Sequence, residues 1–159
     1  MKAAAIQTVS TPRVEENLAT AAALLEQAAR AGAELAVLPE YFCLMSGNDR
    51  DKLGIMEPDA GEWPMQGEAE GPLQCFLSDA AHRYGMTVLG GTVPMRSPKI
   101  NKVCNSLLVY GPDGRRLARY DKIHLFGFQR GDESYDESVA IHPGRTPVVA
   151  DVPVDGALL

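Results

Sequence analysis

Apolar positions along this chain follow two alternating periods, and that alternation predicts its elements. A short apolar run, Ala3-Ala4-Ala5-Ile6 within Lys2 to Val9, reads as a first strand that Ser10-Thr11-Pro12 breaks. From Val14 to Ala31, Leu18, Ala21, Ala22, Leu25, Ala28 and Ala29 recur at three- and four-residue spacing, which predicts an amphipathic helix. Gly32 follows where a helix end favours positive φ. Leu35-Ala36-Val37-Leu38 is a second strand, stopped by Pro39, and Glu40 stands just beyond it. Strand, helix and strand in close succession make a βαβ unit, so the two strands are expected to be parallel neighbours.

The helix period returns from Glu70 to Tyr84, with Leu73, Phe76, Leu77, Ala80, Ala81 and Tyr84 on one face and Gly85 as cap. Met86 to Gly90 is the strand after it. Gly90-Gly91 belongs to no phosphate-binding fingerprint and reads as close backbone packing. Between the two βα steps, Phe42 to Glu68 shows neither period and is rich in Gly and Pro. It starts beside Glu40, so it reads either as a wall or lid over that carboxylate, with Trp63 as an anchor, or as a surface excursion.

Further on, Val103–Tyr110 and Arg115–His124 flank Gly111-Pro112-Asp113-Gly114, a strong hairpin signal. The first arm is weakly polar on both faces, which predicts cover on both sides. An acidic loop from Asp132 to Ser138 and His142-Pro143-Gly144 lead to a last strand, Thr146–Val154, before Asp155-Gly156. The pattern describes one α/β domain over residues 1–159.

Composition narrows the function classes. A net charge of −6 and a pI near 5.0 argue against nucleic-acid binding. No apolar run reaches the roughly 18 residues of a membrane span, and Met1-Lys2 enters the first strand without a signal peptide's hydrophobic region. The 3 cysteines, Cys43, Cys75 and Cys104, stand at unrelated spacings that suggest neither a disulfide framework nor a zinc site. A cytoplasmic location is the expectation.

Chemistry gathers at three charged residues. In α/β folds ligands bind at the C-terminal rim of the strands, which makes Glu40 a candidate general base; by itself it reads first as a surface glutamate closing a strand or capping a nearby turn. Lys122, beside Ile123, Leu125 and Phe126, can stabilise a developing oxyanion or can reach into water. Taken alone, Glu137 is a solvated loop charge and His124 a packed or surface histidine with no partner at metal-ligand spacing.

Together, Leu38-Pro39-Glu40, Tyr120-Asp121-Lys122-Ile123-His124-Leu125-Phe126 and Glu137-Ser138 followed by Pro143-Gly144 resemble the nitrilase superfamily of carbon–nitrogen hydrolases, on its ω-amidase and deaminated-glutathione-amidase side. The resemblance implies an α-β-β-α sandwich and a Glu–Lys–Cys triad that hydrolyses small linear amides without metal or organic cofactor. Glu40 would be the general base, Lys122 the oxyanion stabiliser and Glu137 an auxiliary glutamate that positions base and substrate. Intact family members are expected to form homo-oligomers, with a small amide as the only other partner and no nucleic acid or membrane. The nucleophile would stand on a strand following Asp155-Gly156, and none of the three cysteines occupies that place. The resemblance therefore implies a C-terminally truncated form of the fold, catalytically inactive by itself. The alternative is a non-catalytic remnant that serves in binding or assembly.

Overall fold

The computed structural model describes residues 1–59 and 71–154, and the backbone of 157–158. Six strands form one mixed sheet. β1 (Ala3–Ala5), β2 (Leu35–Val37) and β3 (Thr87–Leu89) lie parallel, linked through α1 (Val14–Arg30) and α2 (Pro72–Tyr84). β4 (Val93–Arg96) and β5 (Val103–Tyr110) are antiparallel to each other. β5 takes β3 and β4 in succession along one edge and β6 (Arg116–Asp121) along the other. The expected βαβ unit is present, with Ala4 opposite Ala36.

Strand alternation decides which side each residue faces. Ala36, Val88, Cys104, Leu108 and Tyr110 face the helices and form one buried cluster with Leu25 of α1 and Leu77 of α2. The alternate set, Leu35, Leu89, Leu107 and Val109, lines a groove of about 600 Å³ on the opposite face. The described residues thus supply one helix layer and one main sheet. β5 is covered on both faces along nearly its whole length, as its composition predicts.

Several expectations need correction. β4 leaves no strand pattern in the sequence because Pro94 interrupts it. The strand tolerates the proline because it lies at the end of the sheet, where the next chain segment docks by Glu57 N–H to the Pro94 carbonyl (2.9 Å). The stretch after Glu40 is not structureless: Asp49–Ile55 is a 3₁₀ helix whose first turn is capped by the Asn48 side chain. Residues 60–68 of that loop, Trp63 included, and the expected helix start at Glu70 lie outside the described residues. The acidic loop is a hairpin, β7 (Gly127–Arg130) and β8 (Glu133–Asp136). Its strands are almost wholly exposed, so no apolar alternation announces them.

β6 ends at Asp121, short of His124. The expected strand from Thr146 is irregular up to Val152. Pro147, Val148, Ala150 and Val152 lie in the apolar groove without a ladder partner. Only β9 (Pro153–Val154) pairs, with β10 (Ala157–Leu158). Asp155-Gly156 falls outside the described residues.

Close packing at Gly90-Gly91 fixes the rim where β2 ends. Gly91 has φ 52°, and a Cβ there would lie 2.1 Å from the Pro39 carbonyl oxygen. The backbone of β3's extension therefore touches the backbone that delivers Glu40.

Candidate active site

Glu40 is delivered by the end of a ladder. Leu38 N–H bonds the Leu89 carbonyl at 2.9 Å, and Pro39, which has no N–H, cannot continue the pairing. Glu40 then projects from the C-terminal rim of the parallel strands with its side chain 47% exposed. Lys122 arrives from the end of β6, its N–H held by the Asn105 carbonyl and its carbonyl by Gly144 N–H, both at 2.9 Å. Gly144 must be glycine, since a Cβ would sit 2.2 Å from the Asp121 carbonyl oxygen. Glu137 opens a single 3₁₀ turn, Glu137–Val139, after β8, with Asp136 bonding Ser138 N–H at its start.

These three side chains meet. Lys122 Nζ lies 2.9 Å from Glu40 Oε1 and 2.9 Å from Glu137 Oε2. The two glutamates differ in what is left over. Glu137 is buried, and its carboxylate accepts from Lys122 Nζ on both oxygens, from Tyr41 Oη on Oε1 (2.9 Å) and from Phe126 N–H on Oε2 (2.7 Å). Glu40 accepts from Lys122 and from Asn105 Nδ2 (2.7 Å), both on Oε1. Its Oε2 has no hydrogen bond among the described residues. One carboxylate is saturated and enclosed; the other, on a half-exposed side chain, keeps an oxygen without a hydrogen bond among the described residues.

Electrostatics follow the contacts. Burial disfavours the charged form of Glu137, but hydrogen bonds from Lys122, Phe126 N–H and Tyr41 outweigh it and hold the carboxyl below its ordinary pKa. For Lys122, burial works against the ammonium, and bonds to Glu137 and Glu40 more than compensate, so its pKa is raised. Burial first, then the bond to Glu137, pushes the Tyr41 phenol far above its usual range, so it is a hydrogen-bond donor at all physiological pH values.

Sequence reasoning missed four groups here. Asn105 is 2% exposed and orients Glu40; a lone amide within the apolar strand β5 was the available signal. Thr92 Oγ1 accepts Tyr41 N–H at 2.8 Å. Tyr41 and Phe126 N–H complete the shell of Glu137. The loop after Glu40 borders the cluster through Lys52, whose ammonium lies 4.1 Å from the Tyr41 ring centroid. His124 is exposed on the apolar groove. No group of three or more metal-binding side chains exists among the described residues.

None of the cysteines is poised for attack. Cys43 follows Glu40 closely in sequence but points into the core, 1% exposed, with Sγ 3.7 Å from the Thr92 carbonyl. Burial pushes its thiol up to about 12. Cys104 shares its face of β5 with Ser106, opposite to that of Asn105, and burial followed by the Asp121 charge raises its thiol to about 11. Cys75 is exposed on α2.

The sequence pattern of the carbon–nitrogen hydrolases matches residues 2–155. The chain belongs to the carbon–nitrogen hydrolase family. This family member is 35% identical over 145 residues to a deaminated glutathione amidase of Synechocystis, covering 90% of the chain and 49% of that protein. It is 33% identical over 141 residues to a chloroplastic omega-amidase of Arabidopsis thaliana, covering 88% of the chain and 36% of that protein. The chain thus spans about half or less of the length of these relatives. Among solved structures it resembles Saccharomyces cerevisiae Nit3, of branch 10 of the nitrilase superfamily (TM-score 0.71, 26% identity, 90% of this chain and 48% of that one). It shares the fold of the Caenorhabditis elegans NitFhit protein (TM-score 0.74, 22% identity, 94% of this chain and 34% of that one). The nitrilase-type α/β fold and the omega-amidase side of the superfamily agree with the motifs around Glu40 and Lys122. No helix among the described residues is long and apolar enough to cross a membrane.

Proposed function

We propose that this site hydrolyses small linear amides to the acid and ammonia through a cysteine thioester. Glu40 Oε2, without a hydrogen bond among the described residues, takes the thiol proton. The thiolate attacks the amide carbon, and Lys122 Nζ donates to the oxygen that becomes negative. The proton returns from Glu40 to the departing nitrogen, which leaves as ammonia. Water deprotonated by the same oxygen then cleaves the thioester and releases the acid and the thiol. Glu137, with its lone pairs already engaged, holds Lys122 in place and moves no proton.

The observation that carries this reading is the asymmetry of the two carboxylates on one ammonium, one free to accept and one saturated. The attacking sulfur is assigned to a residue other than Cys43, Cys75 and Cys104, in sequence that continues the fold beyond Leu159. The 159 residues alone are accordingly inactive. Both named relatives act on amides according to their names, which favours an ω-amide that also bears a carboxylate. Steady-state kinetics on such an amide, on its carboxylate ester and on a simple aliphatic amide tests the substrate class, using protein extended to the relatives' length. The carboxylate-bearing substrate is expected to have the highest kcat/KM. Preference for the aliphatic amide overturns the substrate class and leaves the reaction type standing.

A further inference from the structure

Tyr41 is held in a conformation that bulky side chains rarely adopt. Its φ is 55°, and among the described non-glycine residues only Asn101 shares a positive value. Such backbone costs about 1–3 kcal/mol and persists only where its surroundings over-determine it. Here they do. The N–H is held by Thr92 Oγ1 at 2.8 Å, the hydroxyl donates to Glu137 Oε1 at 2.9 Å, and the ring lies against the Lys52 ammonium. In extended chain, consecutive side chains point to opposite faces. The left-handed kink instead lets Glu40 and Tyr41, adjacent in sequence, reach the same ion cluster: Glu40 bonds Lys122 directly and Tyr41 bonds Glu137.

Lys52 is the second unusual group. A lysine only 4% exposed needs partners, and it has two, the Asp49 carboxylate and the face of Tyr41. Asp49 also lies near enough to Tyr135, on β8 two residues before Glu137, for its charge to help raise that phenol's pKa after burial. The contacts form a chain from Glu137 through Tyr41 and Lys52 to Asp49.

We propose that Tyr41 and Lys52 are positioning residues, a clasp by which the loop after the base fixes the carboxylate of Glu137 against Lys122. Lys52 seats the ring, the ring aims the hydroxyl, and the hydroxyl fixes Oε1 so that both glutamate oxygens stay on the ammonium. The inference rests on Glu137 serving the Glu40–Lys122 pair. Its readout is a titration that needs no turnover, so it can fail while amide hydrolysis stands, and the reverse.

The groups facing Glu137 are Lys122, Glu40, Tyr41 and Phe126 N–H, with Asp49, Lys52 and Tyr135 behind them and Lys102 bonded to the next carbonyl, that of Ser138. Carbon-13 NMR of the 159-residue chain, labelled at glutamate Cδ, follows Glu137 through an acid titration. Tyr41→Phe keeps the ring and removes one donor to the anion, and the Glu137 midpoint is expected to rise by about one pH unit, with Glu34 as an unmoved control. Lys52→Met should raise the midpoint by a smaller amount, and Lys52→Arg should restore it. Combining Lys52→Met with Tyr41→Phe separates positioning from plain charge. If Lys52 acts through the hydroxyl, it adds nothing once the hydroxyl is gone. An unmoved midpoint in Tyr41→Phe, or a Lys52→Met effect of equal size in both backgrounds, overturns the proposal. Should Tyr41→Phe fail to fold, the Lys52→Met rise and its Lys52→Arg recovery decide alone, and absence of the rise overturns it.

Discussion

Lys122 Nζ and Glu40 Oε1, 82 positions apart in sequence, lie 2.9 Å from each other at the rim of the sheet. The contact leaves the second oxygen of Glu40 free. The same ammonium also saturates Glu137, so one cation holds two carboxylates that differ in what remains free on them.

Removing that cation should cost stability as well as chemistry. Lys122→Met leaves Glu137 buried with no counter-charge, which predicts a loss of about 2–3 kcal/mol in urea denaturation at pH 7. Glu137→Gln combined with Lys122→Met should recover part of it. An unchanged midpoint for Lys122→Met would contradict the pairing.

The pair also sets a pH dependence. The depressed folded pKa of Glu137 means that its contribution is present above its ordinary value near 4.5 and is lost as pH falls through the folded value. The raised pKa of Lys122 contributes fully below its ordinary 10.5 and is lost as pH climbs through the folded value. Unfolding free energy measured against pH should therefore fall at both ends, and Glu137→Gln should flatten the acid limb specifically.

Glu57 makes a second buried carboxylate that is structural. It accepts Leu73 N–H at 2.5 Å and Gln74 N–H at 3.0 Å, capping the first turn of α2 from a distant loop. Glu57→Ala should lower stability by roughly 1–2 kcal/mol and speed amide exchange at Leu73 and Gln74. Exchange that stays slow there would show that other donors or acceptors replace the cap.

Thiol reactivity distinguishes the three cysteines. Burial pushes the Cys43 thiol up to about 12, so at pH 8 it stays protonated. Alkylation followed by peptide mass spectrometry should mark Cys75 first and reach Cys43 and Cys104 only on unfolding. Rapid labelling of Cys43 in the folded chain would reopen its candidacy as nucleophile.

How much of this was legible beforehand depends on what each feature rests on. The βαβ unit, both long helices and the covered strand β5 follow from apolar periodicity, because burial of one face is what makes those elements stable. Glu40 and Lys122 were legible through motifs tied to strand ends. Tyr41, Asn105 and Lys52 were not. Their roles depend on a left-handed φ, on the edge pairing of β5 and on a short 3₁₀ helix, none of which leaves a period in the chain. β7 and β8 escaped notice for a related reason: a hairpin exposed on both faces has no apolar side to reveal it.

The most direct measurement of the central claim is ammonia release from a carboxylate-bearing ω-amide. It would compare the 159-residue chain, the chain extended to its relatives' length, and the Glu40→Gln and Lys122→Ala forms of the extended protein. The account predicts no release from the short chain and turnover by the extended one. It also predicts a fall in kcat of about a thousandfold or more in either variant. Release from the short chain that Cys43→Ala abolishes, or turnover within about tenfold of the parent in either variant, would contradict it.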